Sequence, residues 1–137
     1  MNKGSNDWDV SFSRISWLEE VLNNHPNVVD VTRHDDIVFE IQRKQGPPIT
    51  LLCLDEYTLG VAAVERAFRE FPQVNLIYVG GKWNNYTADA KELCRQRSIG
   101  LYNAGELNGA LQKKDFTTYY QRDKNRASLD QRRSSRT

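Results

Sequence analysis

The spacing of apolar residues divides the chain into segments with different periods. Ile15, Leu18 and Leu22, supported by Val21, recur at helical spacing while Glu19, Glu20 and Asn23 fall on the other side. This predicts a helix opened by Ser11 or Ser13 as cap and stopped at His25-Pro26-Asn27. Val28 to Thr32 is β-branched and reads as a strand, and His34-Asp35-Asp36 as a turn. From Ile37 to Gln42, Ile37, Phe39 and Ile41 alternate with Val38, Glu40 and Gln42, a half-buried strand. Arg43 to Pro48 reads as a hairpin loop, and the nearly unbroken apolar run Ile49–Leu54 as a central strand covered on both faces.

Thr58 is the expected cap of a second helix, with Val61, Val64, Phe68 and Phe71 on one face and Pro72 beyond its end. Val74–Val79 predicts a buried strand closed by Gly80-Gly81, and its helical crossover favours parallel pairing with Ile49–Leu54. Thr87 is placed as cap of a third helix to about Arg97, with Ala90, Leu93 and Cys94 inward. Ile99–Tyr102 is a short strand, and Ala104–Leu111 a closing helix. The order α-β-β-β-α-β-α-β-α is that of an α/β protein with a mixed sheet and helices on both faces. Residues 1–10 are expected as a flexible lead, 11–112 as the single domain, and 113–137 as a basic, largely disordered tail. Trp8, Phe116, Tyr119 and Tyr120 are the residues outside 11–112 with aromatic surface to dock.

Composition narrows the classes. With 137 residues, 39% hydrophobic and 27% charged, the chain has room for one real core. It contains no apolar run near the roughly 18–20 residues that span a bilayer. The polar N-terminal residues lack a signal peptide's apolar stretch, so a cytoplasmic location is expected. The Asn85-Tyr86-Thr87 acceptor triplet then reads as chance. Cys53 and Cys94 fall in a strand and a helix and read as small buried hydrophobes rather than a disulfide. The net charge is +1, divided unevenly: residues 113–137 carry +5 and residues 1–112 carry −4.

Two groups of residues carry candidate chemistry. Asp35, Asp36, Asp55 and Glu56 bracket two neighbouring strands and are readable either as solvated strand ends or, with Glu40, as oxygen ligands for Mg²⁺ or Mn²⁺. The loop Gly80–Tyr86 follows the C-terminal end of a strand, where open α/β sheets bind ligands. Lys82, Trp83, Asn84 and Tyr86 there suit phosphate contact and base stacking, or simply pack on the domain. Arg122, Lys124 and Arg126 in the tail would add non-specific, salt-sensitive affinity for DNA or RNA. The acidic body offers no obvious basic groove.

The element order, the acidic hairpin strand and the helix after the second hairpin strand resemble the restriction endonuclease-like (PD-(D/E)xK) superfamily, in its Mrr-like and Holliday-junction-resolvase-like branches. The resemblance covers residues 12–111. It implies an Asp opening one strand and Glu/Gln-x-Lys closing the next, the carboxylates holding a divalent cation for phosphodiester hydrolysis. Asp36 matches the first Asp, while Cys53-Leu54-Asp55 stands at the triplet, a thiol for the ligand and an acid for the lysine. The resemblance therefore implies a catalytically degenerate nuclease-fold module that binds nucleic acid or protein. An active metal-dependent nuclease using Asp36, Glu40 and Asp55, and a structural domain that dimerises through an edge strand or Phe116–Tyr120, remain as alternatives.

Overall fold

The computed structural model describes residues 8–80 and 85–119. The first helix, α1 (Phe12–Asn23), begins at Ser11, whose hydroxyl accepts from the Arg14 amide at 3.1 Å, and it buries Ile15, Leu18 and Leu22. Strands β1 (Val28–His34), β2 (Val38–Arg43) and β3 (Ile49–Leu54) follow as the expected antiparallel meander. Asp35 and Asp36 form the first turn with φ of 50° and 68°, left-handed backbone that Asp tolerates and a β-branched residue would not. Each of the next two crossovers returns the chain to the same sheet. Strand β4 (Thr58–Leu59) and helix α2 (Val61–Glu70) lead to β5 (Leu76–Val79); β6 (Asn85–Tyr86) and α3 (Ala88–Gln96) lead to β7 (Gly100–Asn103). Helix α4 (Ala104–Gln112) and a 3₁₀ turn, Phe116–Thr118, close the described chain.

The main sheet has the order β1-β2-β3-β5-β7, with β3, β5 and β7 mutually parallel. Its centre is the most apolar segment, as the run Ile49–Leu54 requires: Leu51, Leu52, Cys53 and Leu54 are fully buried, and so are Leu76, Tyr78 and Val79 beside them. The two crossovers place α2 and α3 together on one face, in contact with each other. On the other face α1 packs on β1, and α4 on β7 and β5.

Helix α2 departs from the sequence pattern. Thr58 does not cap it; parallel pairing of Thr58 with Asn85 draws that residue into β4, and Gly60 takes the cap position without a side-chain bond. The buried positions are Val64 and Ala67, with Phe68 and Phe71 half-buried, whereas Val61 overhangs the first turn and is exposed.

The largest departure is Arg43. It ends β2 instead of starting a loop, and only 8% of it is exposed. Its guanidinium donates from Nε to the Pro47 carbonyl at 3.0 Å and from Nη1 to the carbonyls of Leu111 at 3.1 Å and Lys113 at 2.7 Å. Nη2 reaches the Lys114 carbonyl at 3.0 Å, and the group lies 5.3 Å from the centre of the Phe116 ring. The Leu111 and Lys113 carbonyls are among those that a helix end leaves without partners, so one buried cation ties the end of α4 to the hairpin. Asn27 adds Nδ2 bonds to the carbonyls of Leu111 at 2.9 Å and Gln45 at 3.0 Å, and accepts from the Gln45 amide at 3.0 Å. The Asn27 amide donates to His25 Nδ1 at 3.1 Å, which leaves Nε2 to donate to the Asn108 carbonyl, also at 3.1 Å. Gly46 completes the hairpin at φ 105°, where a Cβ would sit 2.4 Å from Arg43 Nη2.

The packed body is wider than residues 11–112. Trp8 and Val10 are buried, with Trp8 Nε1 donating to Glu70 Oε1 at 2.9 Å and Arg66 stacked 3.9 Å over its ring. Phe116 is 3% exposed, and the Tyr102 hydroxyl faces the carbonyls of Phe116 and Tyr119. Tyr120 lies outside the described residues. Replacing Arg43 by Met should lower unfolding free energy by about 2–4 kcal/mol, because it leaves several buried carbonyls unpaired. Urea unfolding measures the loss, and amide exchange should show residues 108–119 losing protection before β3 and β5.

Candidate functional site

The C-terminal ends of the three parallel strands gather three of the expected residues, Asp36, Asp55 and Tyr86, on one edge. A small second sheet ties that edge together: β4 and β6 pair in parallel, Thr58 opposite Asn85 and Leu59 opposite Tyr86. The Gly80 amide donates to the Leu54 carbonyl at 2.8 Å, and the Asn85 amide to the Tyr57 carbonyl at 3.1 Å. The anchors of the loop after β5 therefore rest on the last residue of β3 and on the segment that follows it. Lys82, Trp83 and Asn84 fall between those anchors and lie outside the described residues, as do Arg122, Lys124 and Arg126.

Asp36 and Asp55 come to the same end of neighbouring strands. The pair Val38–Leu52 and the bond from the Cys53 amide to the Ile37 carbonyl at 2.8 Å set that register. Each acid is engaged by a cation. Arg14, from the first turn of α1, brings Nε to 3.7 Å from Asp55 Oδ1. Its stem passes so close to Gly80 that a Cβ there would lie 2.5 Å from Arg14 Cδ. Arg33 bridges Asp36 and Glu19, at 3.1 Å to each. Glu40 lies farther along β2, opposite Thr50, exposed and 3.6 Å from His34 Nε2.

This donor set does not fit the divalent cation that the resemblance implies. Among the described residues no three His, Cys, Asp or Glu side chains gather to hold a metal ion. Cys53, at the position of the expected ligand, is fully buried, and desolvation pushes its thiol far above the usual range. A neutral thiol enclosed by the core is not a ligand for a hard cation. No hydrolytic step is derived through such an ion.

The same edge contains residues that the apolar pattern did not single out. Lys91 projects from α3, half-buried, with its ammonium 4.1 Å from the Tyr102 ring centre and 5.1 Å from that of Tyr86, and it donates to the Leu101 carbonyl. Burial pulls its pKa down, and Glu106 partly opposes that. Glu106 accepts from the Tyr86 hydroxyl at 2.8 and 2.7 Å and from the Asn103 amide at 3.0 Å, completing a capping box with Asn103. Asn103 Nδ2 reaches Asn85 Oδ1 at 3.1 Å, joining β7 to β6. Tyr86 thus stands at the expected edge, yet its hydroxyl is held by Glu106. The Asn103-x-x-Glu106 spacing was the available sequence signal for this cap; nothing in the linear pattern points from Lys91 to two tyrosine rings.

Two outcomes follow from this geometry. Tyr86→Phe should cost about 1.5–3 kcal/mol in urea unfolding, the net value of a hydrogen bond to a charged acceptor. Cys53 and Cys94 are both free and buried, and burial pushes the Cys94 thiol up to about 12. A thiol reagent at pH 8 should label neither cysteine in the native protein and both in urea; rapid native labelling would contradict the burial. Compared with known proteins, the chain matches no family model, no curated sequence and no solved structure.

Proposed function

We propose that this chain is a catalytically degenerate nuclease-fold domain that serves as a nucleic-acid-binding module. The observation that carries the reading is the placement of Asp36 and Asp55 at one end of β2 and β3, inside a helix-meander-crossover order like that of restriction endonuclease-like proteins. Degeneracy rests on Cys53, a buried neutral thiol in the ligand position, and on the engagement of Asp55 by Arg14 and of Asp36 by Arg33. An arginine beside each acid lowers the negative potential that would otherwise repel a phosphate backbone.

A protein-interaction role is the second reading. It is favoured by large apolar side chains left in solvent, Phe12 at 58%, Val29 at 61% and Tyr57 at 73% exposed. Val29 lies on β1, an edge strand of the main sheet, and a second copy of the chain is the simplest partner for such an edge. Light scattering across a concentration series distinguishes a homodimer from a monomer.

Gel shifts with single- and double-stranded DNA and RNA decide the leading reading. Retardation is expected near 50 mM salt and should weaken steeply by about 200 mM. No retardation at the lower salt sinks the nucleic-acid role. Incubation with Mg²⁺ or Mn²⁺ should give no cleavage; cleavage that disappears in Asp36→Ala would establish an active nuclease instead.

A further inference from the structure

A cavity of about 340 Å³ opens between α3, the start of β7 and the closing 3₁₀ turn. Lys91, Arg95, Ser98, Thr117, Thr118 and Tyr119 line it, with Ile99 and Leu101 as its apolar wall. The volume lies at the lower end of the range for small-molecule sites, roughly 300–1,000 Å³.

The charges around this cavity are unequal. Lys91 has three N–H donors, and the Leu101 carbonyl takes one. Its other contacts are the Tyr86 and Tyr102 rings; it forms no ion pair with a carboxylate among the described residues. Glu106 acts on this ammonium without an ion-pair contact, so its lost water is only partly compensated by that carboxylate, the ring faces and a carbonyl. Arg95 is held by Glu92 through Nε at 3.0 Å and Nη2 at 2.8 Å, which fixes its plane and uses two of its five N–H groups.

The nearby acids already have partners. Glu106 is held by Tyr86 and Asn103, Glu92 by Arg95, and Asp115 accepts from the Thr117 hydroxyl at 2.8 Å. The Thr118 hydroxyl donates to the Asp115 carbonyl at 3.0 Å, so both threonines shape the wall without supplying donors. What remains for a ligand is cationic donor capacity at one end and Ile99, Leu101 and Tyr119 along the side.

We propose that this cavity binds a small phosphate monoester of about nucleoside-monophosphate size, its phosphate between Lys91 and Arg95 and its flat body against Ile99, Leu101 and Tyr119. Neither Asp36 nor Asp55 lines this cavity, and the site stands whether or not those acids meet nucleic acid. A bound dianion adds counter-charge to that of Glu106 and favours the protonated form of Lys91, opposing the effect of burial.

Amide chemical-shift titration of the whole chain tests this, with AMP, CMP, inorganic phosphate and adenosine as probes. AMP or CMP should give saturable shifts at residues 91, 95, 98–101 and 117–119 below about 1 mM. Inorganic phosphate should shift the same residues more weakly, and adenosine should leave them unmoved. Arg95→Gln, on the exposed surface, and Lys91→Met, which keeps the aliphatic stem, should each weaken binding about tenfold. Arg69→Gln on α2 should have no effect. Absence of saturable shifts with either nucleotide overturns the site. Binding that survives Arg95→Gln and Lys91→Met unchanged does so as well, and a nucleotide no tighter than inorganic phosphate removes the role of the apolar wall.

Discussion

Arg43 fixes how the β2–β3 hairpin meets the end of α4. Its guanidinium sits at the end of β2, and its partners are carbonyls of the hairpin turn, the last turn of α4 and the segment after it. A charge this enclosed is tolerated because its donors face oxygen atoms and one side meets an aromatic ring. Desolvation lowers its pKa, but an arginine starts high enough to stay charged at any physiological pH. A lysine there would offer a point charge without the planar fork, and could not reach carbonyls in three directions at once. The bond set also explains why Gly46 and Asn27 hold their positions. The glycine leaves room for the guanidinium, and the asparagine joins the same hairpin to Leu111.

That clasp lies at one end of the sheet, and the candidate chemistry at the other. The parallel strands β3, β5 and β7 point their C-terminal ends toward Asp55, Gly80 and Asn103, and the pairing of β4 with β6 ties the connecting segments across them. The division has a physical basis. The clasp end is held by a network of buried hydrogen bonds. The other end carries charged pairs that remain partly in solvent, such as Arg14 with Asp55 and Arg33 with Asp36, which contribute little to stability. Local plasticity at the site therefore costs the fold little.

The fold was legible where one period dominated. Ile49–Leu54 has no polar interruption beyond Thr50 and became the sheet centre at its expected bounds. Ser11 and Thr87 capped the helices they precede, since each side chain accepts from the third amide onward. Thr58 failed as a cap because a strand pairing 27 residues away in sequence claimed its backbone. Arg43 looked like loop because a lone cation beside Gly-Pro-Pro carries no sign of the distant carbonyls that bury it. Trp8 and Phe116 were recognisable as aromatic surface able to dock, but the partners that bury them, including Glu70, Arg66 and Arg43, are distant in sequence.

The site was legible only as a location. Alternation and turn placement bring Asp36 and Asp55 to one edge, but they do not say which cation each acid meets. The chemistry depends on that missing information. Two carboxylates sharing open space attract a cation; the same carboxylates each faced by arginine do not, since the guanidinium already supplies charge and donors. Cys53 follows the same logic from the other direction. Its place in β3 among the buried Ile49, Leu51, Leu52 and Leu54 decides its protonation, and a thiol held neutral there supports the sheet without offering a ligand. Lys91 is the converse case, a cation drawn inward against Tyr86 and Tyr102 whose nearby acid, Glu106, is held by the Tyr86 hydroxyl and forms no ion pair with it. In this fold the incompletely compensated charge therefore lies beside α3, at a residue the helical pattern marks as ordinary, and not at the acids that the strand pattern brings forward.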